Sequence, residues 1–183
     1  MLNISSLGLR SLKEVNIPED ITKLDCRDNE LETLEELDKC INLTELYCDN
    51  NKIKSLKGIE KCINLTELYC NNNELETLEV IEKCVNLTEL DCSYNKIETL
   101  EGIEKCVNLT ELNCRYNRIR TLEFFTRVKV KCINLAKLEC GCNELETLKG
   151  IEKYINLTIL DCSYNKIETL EGIEKYVNLT ELY

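Results

Sequence analysis

The chain has 183 residues, 43% of them hydrophobic but only 5% aromatic, with no Trp and no His. Its interior must therefore be packed with Leu, Ile, Val and Cys rather than with large rings. A net charge of −11 disfavours nucleic acid and anionic membrane surfaces, which are held by Lys and Arg, and points to a basic or neutral protein partner. No stretch reaches the roughly 18–20 consecutive apolar residues of a membrane span. The segment from Met1 to Leu7 lacks the basic region and long apolar core of a signal peptide. These readings predict an intracellular protein, cytoplasmic or nuclear.

In chain order, residues 1–20 form a degenerate first unit, with apolar Leu2, Ile4, Leu9, Leu12 and Val15 but Leu7 and Pro18 out of pattern. From Ile21 a repeat sets in, with units beginning at Ile21, Leu43, Leu65, Leu87, Leu109, Leu135 and Leu157. Six of these seven units are 22 residues long; the unit from Leu109 carries four extra residues, around Phe124 to Lys131. Residues 179–183 begin a truncated unit. The organisation expected is one continuous domain over 1–183, with seven repeats over 21–178 and partial repeats at both ends.

Each unit reads L-x-x-L-x-C-x-x-N-x-[LI]-x-x-L-x-x-[IL]-x-x-C. The L-x-C step alternates with period two, as a short strand with one buried face requires. The remainder places apolar residues three apart, at Ile53, Leu56, Ile59 and Cys62 in the unit from Leu43. Strict period three fits a 3₁₀ or irregular return better than an α-helix, whose stripe alternates threes and fours. A single unit cannot bury its apolar edge, but stacked units can. The predicted fold class is α/β: a curved solenoid with a concave parallel sheet, an irregular or 3₁₀ convex side and a stack on the order of 35 Å long.

The pattern, and wording such as NLTELDCSYNKIETLEGIEKC at Asn86–Cys106, resembles the leucine-rich-repeat superfamily. It is most similar to the 22-residue class of the protein phosphatase 1 regulatory subunit, and internalins have similar repeat lengths. The resemblance implies a horseshoe-shaped binding module. It differs in carrying Cys where the family has a third strand Leu, and in showing no capping module at either end.

Twelve of the thirteen Cys fall in two columns. Cys26, Cys48, Cys70, Cys92, Cys114, Cys140 and Cys162 each follow a core Leu by two and so face inward. Cys40, Cys62, Cys84, Cys106 and Cys132 form the second column, which Tyr154 and Tyr176 continue. Metal sites converge close C-x₂₋₄-C pairs on one ion, whereas these residues recur singly, so both columns read as small buried hydrophobes. Unpaired thiols in such number favour a reducing compartment. Cys142, at a turn beside Gly141, reads as an exposed inert thiol. Asn29, Asn51, Asn73, Asn95, Asn117, Asn143 and Asn165 stand where the strand ends, placed to satisfy backbone groups of consecutive turns. The recurrent Asn-Leu-Thr, from Asn42 to Asn178, reads as repeat phase rather than as glycosylation sites.

Alternation exposes the third, fifth and seventh residues of each unit on the concave face. There Glu45, Glu67, Glu89 and Glu111 line up beside Tyr47, Tyr69 and Asp91. Neighbouring like charges disfavour the fold, and Tyr offers an apolar ring with a polar tip suited to interfaces. These seven residues form the candidate partner-binding stripe, with Ile159 as a further contact and Tyr94, Tyr116 and Tyr164 at the rim. Lys39, Lys61, Lys83, Lys105, Lys131, Lys153 and Lys175 on the convex side read as solvated, and the Phe124–Phe125 insertion as a bulge between units. Without His, a phosphate loop or a nucleophile beside a base, the sequence predicts no catalytic, cofactor or metal residues. The function expected is a non-enzymatic protein-interaction module. The alternative is an extracellular, adhesin-like recognition protein. The C-terminal unit, with Leu179 and Leu182 before Tyr183, is read as a route to self-association.

Overall fold

A computed structural model describes residues 1–123, 134–151, 154–170, 173 and 178–183. Among the described residues nine short strands stand in chain order in one parallel sheet: β1 (Leu2–Asn3), β2 (Lys23–Asp25), β3 (Glu45–Tyr47), β4 (Glu67–Tyr69), β5 (Glu89–Asp91), β6 (Glu111–Asn113), β7 (Lys137–Glu139), β8 (Ile159–Asp161) and β9 (Glu181–Leu182). Each strand pairs with the next at equivalent repeat positions, so Leu46 faces Leu24 on one side and Leu68 on the other. The four extra residues after Leu109 leave this register untouched, because Leu112 still faces Leu138. The insertion around Phe124 to Lys131, together with Cys132, Lys153, Lys175 and Tyr176, lies outside the described residues.

The returning half of several units closes in 3₁₀ turns: η1 (Leu12–Glu14), η2 (Glu35–Lys39), η3 (Glu79–Lys83) and η4 (Ile103–Lys105). The period-three spacing predicts them. A reciprocal cap starts η1, where Ser11 Oγ accepts from the Lys13 N–H and the Glu14 carboxylate accepts from the Arg10 and Ser11 N–H groups. The two five-residue turns, η2 and η3, carry Glu36 and Val80 where other units carry a glycine. Gly58 has φ +110°, and a Cβ there would sit 2.1 Å from the Leu34 carbonyl oxygen of the preceding unit. Only glycine permits so close an approach.

Both cysteine columns lie inside, and eleven of the twelve described thiols are free and buried. Burial pushes the thiols up from their usual range, to about 12 at Cys26, Cys62 and Cys84. Position in the column separates two kinds of site. The Cys92 Sγ lies 3.5 Å from the Asn113 carbonyl oxygen, so a serine hydroxyl there has an acceptor waiting. Cys70 is fully buried in the apolar core, and its thiol donates no hydrogen bond among the described residues. We expect Cys70→Ser to lower unfolding stability by about 1–3 kcal/mol, and Cys70→Ala and Cys92→Ser to cost less. Urea denaturation of the three variants checks this; equal costs would remove the distinction.

Between the cysteine columns the asparagines tie unit to unit. Asn51 Nδ2 donates to the carbonyls of Cys26, Cys48 and Asp49 at 3.1, 3.1 and 3.2 Å, while its Oδ1 accepts from the Leu31 N–H at 3.0 Å. The same set recurs at Asn29, Asn73, Asn95, Asn117, Asn143 and Asn165. A second pair of ladders, unread in the sequence, comes from Asn-Leu-Thr. Thr66 Oγ1 donates to the Thr44 carbonyl at 3.0 Å and Thr88 Oγ1 to that of Thr66 at 3.0 Å. Asn64 and Asn86 Nδ2 donate to the carbonyls of Ile41 and Ile63. Among the described residues no helix is long and apolar enough to cross a membrane.

Candidate binding surface

The sheet brings the predicted stripe together. Glu45 and Tyr47 stand on β3, Glu67 and Tyr69 on β4, Glu89 and Asp91 on β5, and Glu111 on β6, each opposite its counterpart in register. Glu111 is exposed, while the other six are partly buried. Elsewhere on this face Asp25, Ser93 and Asp161 are buried outright, which alternation alone does not predict.

Tyrosine hydroxyls meet the like charges of β3, β4 and β5, while Glu89 and Glu111 stand opposite one another. Tyr47 Oη lies 3.0 Å from a Glu45 carboxylate oxygen and 3.1 Å from one of Glu67, and Tyr69 Oη donates to Glu89. The two rings stack with centroids 5.1 Å apart and planes 20° apart. Partial burial, then these carboxylates, hold both phenols well above their ordinary range. At the N-terminal end of the row, Lys23 Nζ meets Glu45 at 2.5 Å, and this bond draws the Glu45 carboxyl below its usual value. At the other end Lys137 pairs with Glu139 at 2.8 Å. Between them, Glu89, Asp91, Glu111, Asn113, Lys137 and Glu139 line a shallow depression of about 150 Å³ across β5, β6 and β7.

Arginines frame this face. Arg27 grips Asp25 through Nε (2.9 Å) and Nη2 (2.8 Å), with its guanidinium 5.6 Å from the Tyr47 ring centre. The bond to Arg27 holds the Asp25 carboxyl below its usual range. Arg115 reaches across a whole unit to Asp161, Nη1 to Oδ2 at 3.2 Å. It passes over the unit in which Gly141 takes the equivalent place and brings no side chain.

A further column emerges where each strand ends. The eighth residue of every described unit has a left-handed backbone: Asp28, Asn50, Asn72, Tyr94, Tyr116, Cys142 and Tyr164, all with φ between 52° and 56°. Its N–H must turn to the next unit, as in Tyr94 N to Arg115 O at 2.9 Å. Tyr94 and Tyr116 stack at 4.2 Å and 11°. Hydrogen bonds with Cys142 and then Tyr94 push the Tyr116 phenol up to about 12. Asp28, Asn50 and Asn72, which tolerate this conformation, were the available signal in the sequence.

Comparison with known proteins agrees with this architecture. A family model of two-copy leucine-rich repeats matches residues 19–61 and 63–105. Over those residues the chain matches the leucine-rich-repeat family, and its fold is that of a leucine-rich-repeat solenoid. No curated protein matches it. Among solved structures it is similar to an internalin of Listeria monocytogenes, with a TM-score of 0.80, 22% identity, and coverage of 88% of this chain and 47% of that one. A leucine-rich-repeat protein of Leptospira interrogans aligns with a TM-score of 0.69 and 26% identity over 88% of this chain and 48% of the other. The functional domain of InlJ from Listeria monocytogenes, described as including a cysteine ladder, aligns with a TM-score of 0.51 and 28% identity over 88% and 43%. The chain thus spans about half the length of these structures.

Proposed function

We propose that this chain is a non-enzymatic protein-interaction module that receives a basic segment of a partner on its concave stripe. The observation that carries the reading is the tyrosine–glutamate network of β3, β4 and β5, whose phenols are already committed to carboxylates. Such a stripe is ordered before a partner arrives, so little side-chain entropy is lost on binding. It presents carboxylate oxygens beside ring faces, the pair of features that a Lys or Arg side chain satisfies together. Arg27, held between Asp25 and the Tyr47 ring, makes that contact within the chain itself. Carboxylates on an open, wet face without a His partner are poor general acids or bases, which supports a binding role. The free buried thiols support a reducing intracellular setting.

Calorimetry with a hexa-arginine peptide tests the site. Binding is expected to weaken as salt rises, and Tyr47→Ala with Tyr69→Ala to weaken it by more than about tenfold while leaving net charge unchanged. Undiminished affinity in the double variant would move the site off this stripe. For the compartment, thiol titration and intact mass of protein from its native source decide: glycans on the Asn-Leu-Thr sites would favour the extracellular alternative.

A further inference from the structure

We infer that the edge of the solenoid around Tyr94, Tyr116 and Arg118 is a second interaction surface, and that it takes an extended acidic, proline-containing segment of a partner protein. Three independent observations on this edge lead there.

The first is backbone strain. Tyr94, Tyr116 and Tyr164 hold φ values of 52°, 54° and 53°, a conformation that Asn and Asp adopt readily and bulky side chains rarely do. Unit-to-unit hydrogen bonds impose it: the Tyr94 N–H donates to the Arg115 carbonyl and the Asn95 N–H to that of Tyr116. The earlier units meet the same demand with Asp28, Asn50 and Asn72, so the fold does not need tyrosine at this position. Strain kept where a relaxed alternative is in use next door marks a site held for another purpose.

The second is exposure. Tyr94 is 52% exposed, Tyr116 41% and Tyr164 83%, so burial does not account for the rings. Tyr94 and Tyr116 stack nearly parallel, and a flat aromatic pair in water is the kind of platform on which proline rings of an extended chain lie.

The third is charge. Three of the chain's six arginines, Arg115, Arg118 and Arg120, fall within six residues of the Tyr116 unit, in a protein of net charge −11. Arg115 lies against the Tyr116 ring and pairs with Asp161, and Arg120 pairs with Glu144 at 3.5 Å. Arg118 is exposed and makes no ion pair among the described residues. Arg118, two residues beyond Tyr116 in the chain, is thus a cation complementary to a carboxylate, whereas the concave stripe has the opposite sign. The two surfaces therefore select different segments, and this inference does not depend on the concave reading.

The test uses the full chain and a synthetic peptide of alternating Glu-Asp and Pro-Pro pairs, titrated by NMR. Shifts are expected at the amides of Tyr94, Tyr116 and Arg118. Affinity should fall at least about fivefold in Arg118→Ser and in Tyr94→Asn with Tyr116→Asn, and stay unchanged in Tyr47→Ala with Tyr69→Ala. The thermal midpoint of the Tyr94→Asn, Tyr116→Asn variant should be unchanged or higher, because asparagine relieves the strain. No binding, binding undiminished in these variants, or equal binding of a peptide with Pro replaced by Gly would overturn the proposal. A clear drop in the thermal midpoint would overturn it too, since the tyrosines would then be serving the fold.

Discussion

Raising the pH from about 9 to about 11 is expected to unfold this protein in one steep step. Ten buried thiols, Cys26, Cys40, Cys48, Cys62, Cys70, Cys84, Cys92, Cys114, Cys140 and Cys162, hold their protons above the ordinary thiol value of 9.0 when folded, chiefly because burial penalises the thiolate. Below the unfolded-state value both states keep these protons, and the stability is fully present. Above it the unfolded chain sheds protons that the folded chain retains, so stability falls with pH by up to about 1.4 kcal/mol per pH unit for each thiol. Ten such groups together approach about 14 kcal/mol per unit, comparable with the whole stability of a typical domain, about 5–15 kcal/mol. Circular dichroism and thiolate absorbance should therefore change together. Replacing Cys48, Cys70, Cys114 and Cys140 by Ala should move the midpoint upward. A chain that stays folded at about pH 12, or thiolate that forms well before the fold is lost, would contradict this account.

Removing a single ladder amide is expected to have the largest effect of any conservative substitution near neutral pH. Asn73→Ala should lower unfolding stability by about 3–5 kcal/mol. Asn73 Nδ2 donates to the carbonyls of Cys48, Cys70 and Asn71 at 3.0, 3.1 and 3.2 Å, and its Oδ1 accepts from the Ile53 N–H at 2.9 Å. The residue is 9% exposed, so alanine would leave the Ile53 donor and the cysteine carbonyls enclosed with little access to water. Each unsatisfied buried group costs about 1–3 kcal/mol. Asn73→Asp should be no milder, because it keeps the acceptor but points a charge at carbonyl oxygens. Its neighbour Asn72 serves as the control: it is exposed, and its Nδ2 bonds only the Asn50 side chain, so Asn72→Gly should stay within about 1 kcal/mol. Urea unfolding of the three variants is the measurement, and a cost below about 1 kcal/mol for Asn73→Ala would refute the role given to the ladder.

The unit, its strand, its period-three return and the inward direction of Leu46, Cys48 and Asn51 were all legible along the chain. These follow from local spacing and side-chain chemistry, and seven copies of the unit make the spacing unambiguous. It also placed Glu45, Tyr47, Glu67, Tyr69, Glu89, Asp91 and Glu111 on one face, because alternation along a strand and a fixed repeat length settle which residues are neighbours. What those neighbours do to one another depends on how the units stack. Tyr47 bonds Glu67 twenty residues away, Arg115 crosses the Gly141 unit to reach Asp161, and threonine hydroxyls chain one unit to the next. The left-handed turn at Tyr94 and Tyr116 is likewise set from outside the unit, since its N–H must point at a carbonyl of the following one. Such features depend on distances and angles between stacked units, and a pattern read along one unit carries no information about the space between two.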